Sequence, residues 1–185
     1  MNFEDIIEDL IKRYPSLESC KTSIHNAGEA LIECYQNEGK LLVCGNGGSA
    51  SDSDHIVGEL MKSFSKKQRG LPAISLSAHG ALISAISNDI GGDFVFAQQV
   101  LGYGRKTDVL LAISTSGNSN NVLDACITAK AIDMKVVGLL GETGGKIKSL
   151  CDVAICVPAI NTAVIQEYHL PVYHALSIMV EETIF

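Results

Sequence analysis

Hydrophobic positions in the first forty residues recur at helical spacing. Ile6, Ile7, Leu10 and Ile11 form one stripe and Ala27, Ala30, Leu31, Cys34 and Tyr35 another, with Pro15 between them, so helices are expected on either side of the proline. From Lys40 the pattern changes to short continuous apolar runs closed by small or polar residues. Lys40 to Gly45 (KLLVCG), Pro72 to Leu76, Val109 to Ile113, Lys135 to Leu140 (KVVGLL) and Asp152 to Val157 (DVAICV) read as five strands. Runs without polar alternation belong to strands covered on both faces. Helical stretches lie between them. One follows the loop Asn46, Gly47, Gly48, Ser49 as far as about Phe64. Two short ones, around Ala81 to Ser87 and Phe94 to Leu101, are joined through Asn88-Asp89 and Gly91-Gly92. Another carries Val122, Leu123, Cys126, Ile127 and Ala129 on one side, and the last starts near Thr162 and runs almost to the C-terminus. Strands alternating with helices predict an α/β three-layer sandwich, a five-stranded parallel sheet flanked by helices. No linker or low-complexity segment divides the 185 residues, so residues 1–185 are expected to form one domain, with residues 1–38 as an N-terminal helical segment.

Two strand ends are alike: VCGNGGSAS and AISTSGNSN are each a strand, a Gly/Ser/Asn loop and a helix start. In an open parallel sheet such loops share the C-terminal edge, where ligands bind. The second loop is the more telling. Ser114, Thr115, Ser116 and Ser119 place four hydroxyls within six positions, and Gly117 lets the backbone come close. A helix start adds unpaired N–H groups and a partial positive charge. A single serine there is an ordinary N-cap, whereas four hydroxyls directly after a strand point to an anion, and hence a phosphorylated ligand. None of these groups is itself a catalyst.

The net charge of −7 argues against a nucleic-acid surface. The one basic cluster, Lys62 to Arg69 (KSFSKKQR), reads as a solvated helix end and loop. No apolar run approaches the ~18 residues of a membrane span, and the acidic start MNFEDIIEDL is unlike a signal peptide. A cytoplasmic protein is therefore expected, with its six cysteines reduced. Cys44, Cys126, Cys151 and Cys156 sit in or beside apolar runs, as core residues do, and no CxxC spacing suggests a zinc knuckle. CGNGGSAS lacks the GxGxxG spacing and a suitable acidic residue after the second strand, which excludes a dinucleotide site.

Four apart on one helix, His55 and Glu59 share a face and suit either a metal or acid/base work; alone, they would read equally as a surface ion pair. On the last helix Gln166, Glu167, His169 and His174 interrupt an apolar surface. His169 alone reads as a core or surface histidine. Gln166 and His174 are separated by about 12 Å of helix rise, too far for one ion. A site using both needs a kink at Pro171 or a second subunit.

From about Lys40 to the end the chain resembles the sugar isomerase (SIS) domain, and within it the phosphoheptose isomerases. The motifs are CGNGGSASDSDHIVGEL (Cys44 to Leu60), SND (Ser87 to Asp89), ISTSGNS (Ile113 to Ser119) and IQEYHLPVYH (Ile165 to His174). The resemblance implies a flavodoxin-like sheet and a homotetramer in which the N-terminal helices pack against neighbouring subunits. It also implies a ketose–aldose isomerisation of sedoheptulose 7-phosphate to an aldoheptose 7-phosphate through an enediol, for lipopolysaccharide, capsule or related glycans. By position, Ser114, Thr115, Ser116 and Ser119 would hold the phosphate. Asn46, Gly47, Gly48, Ser49, Asn88, Asp89 and Gln166 would contact the sugar. His55, Glu59, Gln166 and His174 would hold one zinc ion, with Glu59 and His174 also the acid/base pair. A carboxylate that binds zinc tightly is not free to act as base, so the two roles of Glu59 compete. Ala163 departs from the family pattern, in which an acidic residue often stands near the sugar. The competing expectations are a phosphosugar-binding regulator or adaptor of the same fold and an isomerase for another phosphosugar. The presence of His55, Glu59, Gln166 and His174 favours the heptose enzyme over the regulator.

Overall fold

The computed structural model describes residues 2–62, 64–65 and 67–185. Met1 of the N-terminal segment, and Ser63 and Lys66 of the basic cluster, lie outside the described residues. The five apolar runs form strands β1 (Leu41–Cys44), β2 (Ala73–Ser75), β3 (Val109–Ser114), β4 (Lys135–Leu140) and β5 (Val153–Cys156). All pair in parallel, in the order β2-β1-β3-β4-β5. Among the described residues seven α-helices surround them: α1 (Phe3–Arg13), α2 (Lys21–Gln36), α3 (Gly48–Lys62), α4 (Gly80–Asp89), α5 (Ala97–Tyr103), α6 (Asn120–Ala131) and α7 (Thr162–Ile184). The expected three-layer α/β sandwich is the observed one.

Alternation along the strands assigns the two covers. Leu41, Val43, Val109 and Leu111 face a core closed by α1, α2, α3 and α7. Leu42, Cys44, Leu110 and Ala112 face the opposite core, closed by α4, α5 and α6. Successive side chains of a strand point to opposite faces, so an apolar residue is needed at every position. Each buried aliphatic side chain contributes about 1.5–3 kcal/mol, and the N-terminal helices share the first core through Ile6, Leu10, Ile24 and Leu31.

The differences from the sequence reading are local. Asn88 and Asp89 are not a joint but the last turn of α4, and the chain breaks at Gly91, whose φ of +140° no helix accommodates. Phe94 lies in a 3-10 turn, Gly92–Phe94, and α5 begins only at Ala97. Ile127 is exposed, and Ala125 completes the buried face of α6 instead. Strand β1 starts one residue late because the Lys40 N–H is claimed by the Asp108 carboxylate at 2.9 Å. Cys44 and Cys126 are buried and Cys151 and Cys156 half-buried, and all six thiols are free.

Two buried polar residues fix α7. His169 is fully buried and its Nε2 lies 3.3 Å from the Leu140 carbonyl at the end of β4. Its Nδ1 has no partner among the described residues, so the ring is neutral and donates through Nε2, and burial lowers its pKa to about 4. One end of α7 is thereby held to the strand edge. Near the other end Glu181, 2% exposed, accepts from Phe64 N (2.9 Å), Ser65 N (2.8 Å), Ser65 Oγ (2.5 Å) and Gln68 Nε2 (2.6 Å). The basic segment after α3 is thus gripped by a carboxylate rather than merely solvated.

Glu181→Ala should cost about 2–4 kcal/mol by stranding two backbone donors, read as a lower urea midpoint with faster amide exchange at Phe64 and Ser65. His169 binds its proton more weakly folded than unfolded, so its contribution is complete above pH ~6.5 and is lost as pH falls towards 4. In His169→Asn this loss, on the order of 3 kcal/mol for a shift of that size, should disappear from the acid limb of stability measured against pH.

Candidate active site at the edge of β1 and β3

Strand order reverses between β1 and β3, with β2 to one side and β4 to the other. At such a switch point the two connections diverge and leave a crevice beyond the strand ends. The loops after β1 and β3, the two singled out in the sequence, both open into it. They are joined by reciprocal amide bonds, Asn46 Nδ2 to Asn121 Oδ1 at 2.8 Å and Asn121 Nδ2 to Asn46 Oδ1 at 2.9 Å.

In the second loop Ser114 ends β3 and is nearly buried. Its Oγ accepts from Gly117 N at 3.1 Å and lies 3.2 Å from Ser119 Oγ. Ser116 Oγ accepts from Asn118 N at 3.1 Å, and the Asn118 amide returns a bond to the Ser116 carbonyl at 2.9 Å. Ser119 is the N-cap of α6, yet its side chain makes no capping bond to the helix. The positive end of α6 is therefore turned towards the loop, with Thr115 half-buried and Ser116 exposed beside it. Gly117 has φ +64°, and a Cβ there would overlap the Gly144 carbonyl oxygen. Only glycine meets both conditions.

In the first loop Asn46, Gly47 and Gly48 are exposed and Ser49 is 3% exposed. Gly48 opens α3 and lies against Gln166: a Cβ on it would stand 2.5 Å from the Gln166 Nε2. Asn88 and Asp89 are exposed at the end of α4 and bond to each other at 2.7 Å. Among the described residues no hydrogen bond links them to either loop.

Two turns along α3, His55 Nε2 is 3.1 Å from Glu59 Oε1 and 3.5 Å from His174 Nε2 on α7. Glu59 Oε2 meets Lys62 Nζ at 3.0 Å. Burial, and the neighbouring His55, push the His174 pKa below its ordinary value. Phe64, set by the segment that Glu181 grips, lies 5.2 Å from the His174 ring. Behind the cluster stands Tyr173, whose hydroxyl is 3.0 Å from His55 Nδ1 and 3.3 Å from Asp52 Oδ1. Burial raises the pKa of both Tyr173 and Asp52.

Of the four residues expected to hold zinc, three converge. Gln166 does not: α7 is continuous through Pro171, leaving it about 12 Å of rise from His174. Among the described residues no group of three His, Cys, Asp or Glu is arranged to hold a metal ion. The donor chemistry nonetheless fits, because two ligands of one tetrahedral zinc stand about 3.3 Å apart, close to the His55–Glu59 and His55–His174 separations. Sequence reasoning missed Asp52, Tyr173 and Asn121. Asp52 carried a usable signal, since it precedes His55 by one helical turn; the other two depend on contacts between distant segments.

Residues 2–141 match the family model of the SIS domain. The chain is 48% identical over 166 residues to a phosphoheptose isomerase of Nitratiruptor, covering 90% of this chain and 89% of that one. It is 45% identical over 185 residues to a phosphoheptose isomerase of Helicobacter pylori, covering 95% and 96%. The solved phosphoheptose isomerase from Francisella tularensis superposes with a TM-score of 0.88 at 35% identity, covering 97% of this chain and 96% of its own.

Gly117→Ala should displace the second loop and weaken binding of inorganic phosphate at least tenfold, about 1.4 kcal/mol, as read by 31P line broadening, while the protein remains folded by circular dichroism.

Proposed function

The chain belongs to the phosphoheptose isomerases of the SIS-domain family, and on that premise we propose that it converts sedoheptulose 7-phosphate to D-glycero-D-manno-heptose 7-phosphate. The observation that carries the reading is the joining of an anion loop, through the Asn46–Asn121 amide pair, to the helix that bears His55 and Glu59. Ser114, Thr115, Ser116 and Ser119, with the start of α6, hold the phosphate. Asn46, Gly47, Gly48 and Ser49 line the sugar, with Gln166 against Gly48; Asn88 and Asp89 also belong to the sugar contacts.

The carbonyl moves from C2 to C1 in two steps, each pairing a proton transfer at carbon with one at oxygen. A base removes a proton from C1 as the C2 oxygen gains one, giving the enediol. The C1 hydroxyl then gives up its proton as C2 receives one, leaving the aldehyde. A carboxylate suits the carbon proton and an imidazole the oxygen proton, so Glu59 is assigned the first role and His174 the second. Both Glu59 oxygens are engaged, one by His55 and one by Lys62. Lys62, whose side chain is 65% exposed against 13% for Glu59, is the partner that can swing away and free the base. Burial and the neighbouring His55 lower the pKa of His174, which favours the neutral ring. His55, Glu59 and His174 would hold a zinc ion, which when bound supplies a Lewis acid for the sugar oxygens.

The enzyme is read as a cytoplasmic homotetramer with sites at subunit interfaces, its N-terminal helices making contacts between subunits. Six free thiols suit a reducing compartment. Ile160, 81% exposed just before α7, and the exposed Val164 and Leu170 on its first half offer apolar surface suited to a neighbouring subunit. The distance between Gln166 and His174 likewise suits ligands from two chains. The product would feed activated heptose for surface polysaccharide.

Purified protein incubated with sedoheptulose 7-phosphate, with added zinc and after chelation, should form an aldoheptose 7-phosphate detectable by NMR. Glu59→Gln and His174→Gln should each lower kcat by about 10²–10⁴-fold while phosphate binding persists. Binding without turnover under every metal condition would overturn the reading in favour of a phosphosugar-binding regulator.

A further inference from the structure

We propose that Tyr173 and Asp52 form a positioning pair that fixes His55 in its Nδ1–H tautomer and aims the bare Nε2 at Glu59 and His174. The proposal rests on the reading of this cluster as the reaction centre, and its geometry is independent of the sugar used.

Counting protons decides the tautomer. Asp52, as a carboxylate, can only accept, and Tyr173 has one proton to give. The Tyr173 hydroxyl is within reach of Asp52 Oδ1 at 3.3 Å and His55 Nδ1 at 3.0 Å. If the phenol donates to His55, Asp52 is left without a donor: its Oδ2 is buried with no partner among the described residues, and Tyr173 supplies the hydrogen bond to Oδ1. Asp52 is half-buried with one oxygen already unpartnered among the described residues, so stripping the other of its hydrogen bond is costly. The phenol therefore donates to Asp52, and its oxygen accepts from His55 Nδ1–H. Tyr173 is 1% exposed, so its own hydroxyl is shielded from water.

The consequence lies on the other side of the ring. Nε2 of His55 then presents a lone pair towards Glu59 Oε1 at 3.1 Å and His174 Nε2 at 3.5 Å. The His55 lone pair and the Glu59 carboxylate are then two acceptors facing each other, and they repel unless a proton or a divalent cation stands between them. In isolation imidazole favours the opposite tautomer, with the proton on Nε2, which would donate to Glu59 and remove that demand. The pair behind the ring thus turns an ordinary His–Glu contact into a cation-seeking one, as outer partners of metal-binding histidines do. Tyr173 and His55 also meet edge to face at 5.4 Å, so the ring plane is held along with the proton.

The test is long-range 1H–15N NMR of the histidine rings in metal-free protein at pH 8, with His55→Gln used to assign the resonances. Wild type should show His55 protonated on Nδ1. Tyr173→Phe keeps the ring and its packing but lacks the hydroxyl, and should move the proton to Nε2 with unchanged circular dichroism. Asp52→Asn, which can donate to the phenol, should release the constraint in the same way. Both variants should bind Co2+ about 10–100-fold more weakly, read from its visible absorption. A wild-type His55 protonated on Nε2, or an Nδ1–H form that survives Tyr173→Phe, overturns the proposal. Lack of turnover on sedoheptulose 7-phosphate with the tautomer shift intact would remove the substrate assignment and leave the positioning pair standing.

Discussion

The parallel packing of α7 along α3 is the constraint on which the rest of the site depends. The helices meet in three layers, Gly48 with Gln166, His55 with His174, and the segment just beyond α3 with Glu181. Successive layers are seven to ten residues apart on each chain segment, two to three turns of helix, so the same faces return to contact. The first layer shapes the loop after β1, the second brings His55 and His174 together, and the third closes the end of α3. A slip of one residue would turn His174 by about 100° from His55. His169, locked to the Leu140 carbonyl between the first two layers, sets the register against the sheet.

Carboxylates divide sharply between scaffold and site. Asp108 takes the N–H groups of Lys40 and Arg105 at 2.9 and 2.8 Å, and Asp152 takes that of Val136 at 2.7 Å. Both sit where strands begin, closing the N-terminal edge of the sheet with its backbone donors satisfied. Glu181 does the same for the segment after α3. Asp52 bonds to a phenol, and Glu59 to an imidazole and an exposed ammonium group. Asp108, Asp152 and Glu181 thus serve backbone donors, while Asp52 and Glu59 are bonded only to side chains.

How much was legible in the sequence follows from the range of each interaction. The strands, the layers that cover them and the ligand edge came from apolar runs and the residues that end them. The His55–Glu59 pair is a matter of helical spacing, and the loop hydroxyls are nearly consecutive. Tyr173 was hidden because its role depends on a residue of α3 lying 118 positions away, and nothing in its immediate neighbours signals that contact. The grip of Glu181 on Phe64 and Ser65 was hidden for the same reason, so the basic segment read as solvent-facing. Asn88 and Asp89 mislead locally: they are turn-forming residues, but the helix that holds them runs on until Gly91 relieves the backbone.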